Sequence, residues 1–275
     1  MSKKIIITGT TGYLGGQLCE KLLSQGHIVV GVGRGDSPSF TESYSNYQHI
    51  KWGNFNCEID ADVIVHTAAI TAPSLCESDP EMAWGVNVGL TERVIKVAVA
   101  TNAYVIFCST DLVFEGYDSA PEVGFRVSDI PIPKSVYSRT KRYAEELMLQ
   151  VIPERVGIMR LSLMYGASVS SRGGPLKQVE ESLQKNEIVQ AFYDEWRTPI
   201  FIEEAVRTCV YLIKNKIAGI HHCCGQERLS RLELLQRLYP QYLTLIKGVS
   251  RLSYTGNPPR AADVSLHSTG YYGFY

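Results

Sequence analysis

The sequence has no apolar run long enough to cross a bilayer, so it predicts no membrane-spanning helix. It also has no excess of charge of either sign, because 27 Lys and Arg stand against 28 Asp and Glu for a net charge of −1. Such a balance argues against a nucleic-acid partner and against a membrane-surface partner. Met1 to Lys4 lead directly into an apolar strand, so we expect no signal peptide.

Paired cysteine motifs are missing as well. The seven cysteines are odd in number, scattered and without a CxxC spacing, at positions 19, 57, 76, 108, 209, 223 and 224. Several fall in apolar segments, which indicates reduced, buried thiols in a cytoplasmic protein. The run His221-His222-Cys223-Cys224 does not predict a metal site, because neighbours on a strand point to opposite faces. We therefore expect reduced cysteines and no metal.

A glycine-rich turn follows the first apolar strand, Ile5-Ile6-Ile7, with the spacing Gly9-x-x-Gly12-x-x-Gly15. A helix then runs to about Gln25. A strand, a glycine turn and a helix in this order are the context of a dinucleotide fingerprint. The glycines let the backbone approach a pyrophosphate, and the helix N-terminus offers free N–H groups and a partial positive charge. The alternative is a glycine-rich turn without a ligand.

The second strand, Ile28 to Val32, is not followed by an acidic residue. A site for NAD usually has one there to hold the ribose 2′-hydroxyl, whereas this chain has Gly33 and then Arg34. An arginine suits a 2′-phosphate, so we predict NADP(H) as the cofactor. The alternative for Arg34 is a solvated loop residue.

Three further strands are predicted at about His49–Trp52, Val63–His66 and Tyr104–Cys108, and one helix from Asp79 to about Thr101. Ligands of open α/β sheets bind at the carboxyl ends of the strands. The candidates there are Asn54 and Phe55, Ala68 and Ala69, and Ser109-Thr110-Asp111. Asn87, on the predicted helix, needs a hydrogen-bond partner if it is buried.

Tyr137 and Lys141 are spaced to lie on one face of a helix. A free tyrosine has a pKa of about 10, and a nearby ammonium group favours the phenolate, so we expect a lowered pKa suited to proton transfer. The same spacing at Tyr47 and Lys51 falls in a predicted extended segment, where the two side chains lie too far apart to share a proton. The alternative for Tyr137 and Lys141 is an ordinary surface helix.

Taken in order, these motifs resemble the extended short-chain dehydrogenase/reductases over residues 4–166. The closer resemblance is to the dTDP-4-dehydrorhamnose reductase-like branch. It rests on Ser109-Thr110-Asp111-Leu112-Val113-Phe114-Glu115-Gly116, Glu77-Ser78-Asp79-Pro80-Glu81, Arg197-Thr198-Pro199, Gly219-Ile220-His221-His222 and Arg260-Ala261-Ala262-Asp263-Val264-Ser265-Leu266.

The resemblance implies NADPH-dependent reduction of a keto group on a nucleotide-activated sugar. Tyr137 would give the proton, Lys141 would lower its pKa and hold the nicotinamide ribose, and Thr110 would hydrogen-bond the reacting oxygen. The implied cofactor residues are Gly9, Thr11, Gly12, Tyr13, Leu14, Gly15, Arg34, Asn54, Phe55, Ala68, Ala69, Ile70, Tyr137 and Lys141. The implied substrate residues are Thr71, Thr110, Asp111, Leu112 and Leu163. Asn87 would be a structural partner of the active-site helix.

The sequence has Leu112 and Leu163 where proteins of the branch usually have Tyr and Trp, so the identity of the sugar substrate is left open. An epimerase or dehydratase of the same superfamily stays an alternative, because Asp111 lies beside Thr110. A non-catalytic NADP-binding regulatory subunit is another alternative. A homodimer is a further possibility.

We predict an α/β fold of the Rossmann type, a doubly wound parallel sheet with a smaller C-terminal substrate lobe. The NADP-binding domain is assigned to residues 1–165, with 197–223 returning to it, and the lobe to 166–196 and 224–275. The loop from Ser170 to Pro175 is a candidate lid. Four cations in the second half of the chain are candidates to bind a nucleotide diphosphate, and the alternative for each is a solvated side chain: Arg172, Lys177, Arg197 and Arg260.

Overall fold

The centre of the fold is a seven-stranded parallel sheet, seen in a computed structural model that describes residues 2–170 and 173–268. Its strands are β1 (Lys4–Thr8), β2 (Ile28–Gly33), β3 (Tyr47–Lys51), β4 (Val63–His66), β5 (Tyr104–Thr110), β6 (Val156–Leu161) and β11 (Gly219–Cys223). The order across the sheet is β11-β6-β5-β4-β1-β2-β3. The chain therefore reverses its direction of winding between β1 and β4, and a crevice at such a reversal is where α/β sheets bind ligands.

Helices cover both faces of this sheet, which confirms the predicted doubly wound α/β class. The helices are α1 (Tyr13–Ser24), α2 (Pro73–Ser78), α3 (Pro80–Asn87), α4 (Gly89–Thr101), α5 (Val136–Val151), α6 (Lys177–Gln184), α7 (Ile202–Asn215) and α8 (Arg231–Leu238). Ile5 and Ile7 of β1 face α1 and α7, whereas Ile6 between them faces α4 and α5. The alternation of side chains along a strand thus gives the protein two apolar cores, one on each face.

A smaller cluster packs apart from the central sheet. It contains α6 and α8 with β8 (Val189–Phe192) and β13 (Ile246–Val249), whose apolar side chains form their own core. Short strand pairs connect this C-terminal lobe to the sheet: β7 (Met164–Tyr165) with β10 (Ile200–Phe201), and β9 (Trp196–Arg197) with β12 (Leu229–Ser230). The segment between β10 and β11 returns to the main body through α7.

Two elements differ from the sequence prediction. The helix expected over 79–101 is two helices that meet at Val88, where the Thr91 hydroxyl donates to the Asn87 carbonyl at 2.7 Å and Gly89 is a weak helix former. The third strand starts at Tyr47 and ends at Lys51, so Trp52 is outside it. Six of the free cysteines are buried as expected, and Cys57 is exposed. Within the described ranges, no helix has both the length and the apolar character to cross a membrane.

Candidate active site

Helix α5 presents the candidate catalytic pair, and its first turn is held by several acceptors. The Ser135 hydroxyl caps the helix by accepting from the Ser138 N–H at 3.2 Å. The Glu77 carboxylate, from α2, accepts from the Val136 N–H at 2.6 Å. The Glu115 carboxylate, from the turn after β5, accepts from the Lys134 and Ser135 N–H groups. Groups from two other elements therefore fix the backbone next to Tyr137.

Tyr137 and Lys141 are 7% and 4% exposed, and both line one cleft. Burial raises the Tyr137 pKa well above its ordinary value; a hydrogen bond with Thr110 opposes this rise, and the charge of Asp111 adds to it. The Lys141 ammonium lies over the Phe107 ring, 4.0 Å from its centroid. The predicted lowering of the tyrosine pKa by the lysine is therefore wrong for this arrangement. The phenol keeps its proton at neutral pH.

The Lys141 pKa is itself perturbed. Burial lowers it to about 8, against the opposing charges of Cys108 and Glu145. A lysine with such a pKa is mostly charged at neutral pH and loses its charge in mild alkali.

The carboxyl end of β5 places Thr110 and Asp111 beside this pair. The Thr110 hydroxyl donates to Asp111 Oδ1 at 3.3 Å and accepts from the Leu112 N–H at 3.2 Å. Asp111 Oδ2 accepts from the Ser162 hydroxyl at 3.1 Å and lies 3.6 Å from Arg197 Nε. Burial raises the pKa of Asp111, while Arg197, Ser162 and Thr110 oppose that rise.

The glycine turn forms the other end of the cleft. Gly9 has a φ of +80°, which favours glycine, and a Cβ at Gly15 would come within 2.3 Å of the Gly9 carbonyl oxygen. Helix α1 begins at Tyr13 with Gly12 as its N-cap, without a side-chain cap and without an acidic residue in its first turn. Its N-terminal N–H groups therefore stay available to an anion, so the turn fits a pyrophosphate.

The end of β2 supplies Arg34, and the end of β3 supplies a residue that the sequence analysis missed. Asn54 is exposed and Phe55 is fully buried, and neither lines the cleft. Trp52 lines it instead and packs edge-on against Phe55, with ring centroids 5.6 Å apart. The geometry thus favours Trp52 over Asn54 and Phe55 beside a cofactor. Its position directly after β3 is the signal that marks it.

Asn87 connects two walls of the cleft. Its side chain accepts from the Ile70 N–H at 2.7 Å and donates to the Ile70 carbonyl at 3.2 Å. It also donates to the Thr140 hydroxyl at 3.0 Å, one residue before Lys141. The expected role of Asn87 as a structural partner of the active-site helix is confirmed.

The cleft has a volume of about 1600 Å³. It brings together all but two of the predicted site residues: Gly9, Thr11, Gly12, Tyr13, Leu14, Gly15, Arg34, Ala68, Ala69, Ile70, Thr71, Thr110, Asp111, Leu112, Tyr137, Lys141 and Leu163. The cleft is large enough for a dinucleotide and a second ligand, since single small-molecule sites measure about 300–1,000 Å³.

The C-terminal lobe adds charged groups to the cleft. Arg260 makes a two-point ion pair with Glu195, with Nε–Oε2 and Nη2–Oε1 distances of 2.7 and 2.8 Å. Arg197 lies between Asp111 and Glu195, and its Nη2 donates to Glu195 Oε1 at 3.4 Å. Lys177 lines a neighbouring cavity, and Arg172 lies outside the described residues, as does part of the predicted lid.

A model of the family described as "RmlD substrate binding domain" matches residues 3–269 of the chain. The chain belongs to the RmlD substrate binding domain family. This membership confirms the resemblance inferred from the sequence motifs.

Relatives of this RmlD-family chain include an adenosyltransferase subunit and a reductase. The methionine adenosyltransferase 2 subunit beta of Xenopus laevis is 28% identical over 239 residues, which are 85% of this chain and 70% of that protein. The "Probable low-salt glycan biosynthesis reductase Agl14" of Haloferax volcanii is 30% identical over 236 residues, 82% of this chain and 75% of that protein.

The fold of the RmlD-family chain is that of a solved reductase. The dTDP-4-dehydrorhamnose reductase of Bacillus anthracis, in complex with NADP, superposes with a TM-score of 0.79 at 21% identity. The match covers 98% of this chain and 91% of that one.

The cleft residues of this RmlD-family chain that the sequence analysis missed include Glu195, Arg231 and Tyr254. Each comes from the C-terminal lobe, where the sequence pattern is loose. No local motif marks them, because the fold brings them to the cleft from separate elements.

Proposed function

We propose that this RmlD-family protein is an NADPH-dependent oxidoreductase that reduces a keto group of a nucleotide-activated, dTDP-4-dehydrorhamnose-like deoxysugar. The observation that carries the proposal is the meeting of Thr110 and Tyr137 in a cleft that also holds the uncapped N-terminus of α1. A proton donor and a pyrophosphate-binding turn on one cleft are what a nicotinamide-dependent reductase requires. The names of the reductase relatives support the substrate class.

The residues that would hold NADPH are distributed along the cleft. The N–H groups at Tyr13 and Leu14 would hold the pyrophosphate, Gly12 would lie against it, and Arg34 would bind the 2′-phosphate. Ala68, Ala69 and Ile70 would line the cofactor, and Trp52 would lie beside the adenine. Bound there, NADPH supplies the hydride.

The protein itself supplies orientation and the proton. Tyr137 Oη donates its proton to the keto oxygen, and its raised pKa keeps that proton in place until substrate arrives. The Thr110 hydroxyl turns from Asp111 to donate a hydrogen bond to the same oxygen. Lys141, charged at neutral pH, would hold the hydroxyls of the nicotinamide ribose.

The substrate end of the cleft suits an activated sugar. Arg197 and Arg260 would hold the diphosphate, and Thr71, Asp111, Leu112 and Leu163 would surround the sugar. Leu112 and Leu163 offer apolar contacts without a ring, so the pocket suits a deoxysugar whose identity the residues leave open. The cytoplasmic location and the homodimer predicted from the sequence remain proposals.

The test is NADPH absorbance after mixing the protein with a dTDP-4-keto-6-deoxysugar. We expect the native protein to consume NADPH and Tyr137→Phe to lose turnover, since Phe retains the ring and lacks the proton. Tyr137→Phe should still bind NADPH in a fluorescence titration. Absence of NADPH consumption by a native protein that binds NADPH would contradict the proposed substrate class.

A second candidate is a non-catalytic regulatory subunit, which the name of the Xenopus laevis relative favours. In that case Tyr137→Phe would leave activation of a catalytic partner unchanged. The dehydratase alternative is less favoured by the geometry, because Asp111 is already engaged by Ser162 and Arg197. A dehydratase would release water from a nucleotide-activated sugar without net consumption of NADPH.

A further inference from the structure

Charged side chains are concentrated at the substrate end of the cleft. Two carboxylates, Asp111 and Glu195, face three arginines, Arg197, Arg231 and Arg260. Both carboxylates are already paired, Asp111 with Arg197 and Glu195 with Arg197 and Arg260. The cluster therefore carries an excess of positive charge in a partly desolvated place, where an anion is attracted strongly.

Arg231 is the arginine of this cluster whose guanidinium has no ion pair and no hydrogen bond among the described residues. It is the first residue of α8, where Ser230 and Glu233 form a capping box and the helix dipole repels a cation. Burial lowers the pKa of Arg231; Glu195 opposes this effect, and Arg260 and Arg197 reinforce it. The Arg231 guanidinium thus lines the cleft without a hydrogen bond or ion pair of its own in the described residues, in a position to bind an anion.

An aromatic ring lies next to this cluster. Of the aromatic side chains that line the cleft in the described residues, only Tyr254 comes from the C-terminal lobe. It is 39% exposed, packs edge-on against Phe192 with ring centroids 6.2 Å apart, and lies 5.8 Å from the Arg260 guanidinium. A Cβ at Gly256 would come within 2.3 Å of the Tyr254 ring, so the glycine allows the ring to lie directly on the backbone. The Tyr254 ring is thus held in place by its neighbours and is accessible from the cleft.

The other aromatic residues of the cleft have different positions. Phe40 and Trp52 are at the Arg34 end, Tyr137 is at the reacting centre, and the Tyr13 hydroxyl donates to the Gly166 carbonyl at 2.8 Å. Tyr254 is therefore the aromatic ring that the described residues offer at the substrate end.

We infer that Arg231 and Tyr254 form the nucleotide end of the substrate site, where Arg231 binds the diphosphate and Tyr254 stacks on the base. This inference rests on the proposed function, because it takes the substrate to be a nucleoside diphosphate sugar. An arginine gives a diphosphate two directed, charge-assisted hydrogen bonds, and a tyrosine face accepts a pyrimidine or a purine.

The test is calorimetric titration of the protein with dTDP and, separately, with inorganic pyrophosphate, in the absence of any nicotinamide cofactor. Loss of one charge-assisted contact in Arg231→Gln should weaken both ligands by roughly 10- to 100-fold. The matched control is Arg237→Gln, which removes the same charge from the same helix outside the cleft and should change neither affinity.

A second pair of variants tests the stacking. Tyr254→Ala should weaken dTDP by roughly tenfold and leave pyrophosphate unchanged, whereas Tyr254→Phe should keep the affinity for dTDP. Tyr193→Ala removes an exposed tyrosine of the same lobe that does not line the cleft, and it should have no effect. Far-ultraviolet circular dichroism checks that every variant is folded, and Arg231→Lys, which keeps the charge, should lose less affinity than Arg231→Gln.

The inference is overturned if the native protein binds neither ligand, if Arg231→Gln binds as Arg237→Gln does, or if Tyr254→Ala weakens pyrophosphate as much as dTDP. The proposed function fails separately. If nucleotide binding depends on Arg231 and Tyr254 but no keto sugar causes NADPH consumption, the inferred nucleotide subsite holds and the proposed reductase activity is refuted. If the protein turns over a keto sugar but Arg231→Gln and Tyr254→Ala bind dTDP as the native protein does, the reductase activity holds and the inferred subsite is refuted.

Discussion

The buried ion pair between Glu145 and Arg160 holds α5, the helix of the proposed proton donor, on the sheet, and breaking it tests the structure directly. Glu145 is one turn beyond Lys141 on α5 and is 0% exposed, and Arg160 of β6 is 1% exposed. Two hydrogen bonds join them, Nε–Oε1 at 3.0 Å and Nη2–Oε2 at 2.8 Å. The Ser109 hydroxyl of β5 also donates to Glu145 at 2.5 Å.

The expected effect of Glu145→Ala is large. It leaves a buried guanidinium without its partner, and removing one member of a buried ion pair costs about 3–5 kcal/mol of the free energy of unfolding. For a protein of this size that corresponds to a fall in Tm of roughly 6–20 °C. Glu145→Gln, which keeps the shape and one acceptor, should cost less.

The matched control is the next residue. Glu146 is half-exposed and pairs with Arg142 at 3.0 Å, so Glu146→Ala should change the free energy of unfolding by about 1 kcal/mol or less. Urea unfolding followed by circular dichroism measures both variants. Equal losses in Glu145→Ala and Glu146→Ala would refute the reasoning, because they would mean that burial of the pair contributes nothing.

The pH dependence of this effect has a defined sign. Burial raises the pKa of Glu145, but the hydrogen bonds and charge of Arg160 outweigh it and hold that pKa below its usual value. A lowered carboxyl pKa gives stability that is present above about pH 4.3, the ordinary value, and is lost as the pH falls through the folded-state pKa. The gap in stability between the native protein and Glu145→Gln should therefore narrow in acid.

Three further predictions concern the cofactor and the proton. Gly15→Ala should abolish NADPH binding in a fluorescence titration, since its Cβ would overlap the turn, whereas Gly85→Ala, which lies outside the cleft lining with nothing within 4 Å, should bind normally; equal binding would contradict this role of the turn. Arg34→Ser should reduce the preference for NADPH over NADH in kcat/KM by roughly 10- to 100-fold, and an unchanged ratio would remove Arg34 from the 2′-phosphate site. Lys141 loses its charge as the pH rises through about 8, so kcat/KM should fall above that pH; a plateau to pH 10 in the rate profile would contradict it.

Local sequence patterns predicted those strands, turns and helices whose conformation is decided by residues close together in the chain. The first strand, the glycine turn and α1 follow from periodicity and from glycine, and α5 follows from its helix-forming residues. The segment from Tyr47 to Lys51 is extended, as predicted, so that repeat of the Tyr-x-x-x-Lys spacing forms no catalytic pair.

Non-local contacts explain what the sequence did not predict. A single helical turn over Trp52–Asn54 points Phe55 into the core and leaves Trp52 on the cleft, and only the packing against β3 and α4 decides this. The raised Tyr137 pKa comes from burial and from the charge of Asp111, against a hydrogen bond with Thr110, so it depends on groups that lie far from Tyr137 in the sequence. Arg231 comes from a late helix that the fold carries across to the cleft.

The three hydrogen bonds of Asn87 have a consequence for motion. One amide joins the backbone at Ile70, in one wall of the cleft, to Thr140 on α5, the helix that carries Tyr137. Neither segment can open without breaking bonds of the other, so in hydrogen exchange they should open as one cooperative unit. We therefore expect the wall that contains Ile70 and the helix that contains Tyr137 to move together.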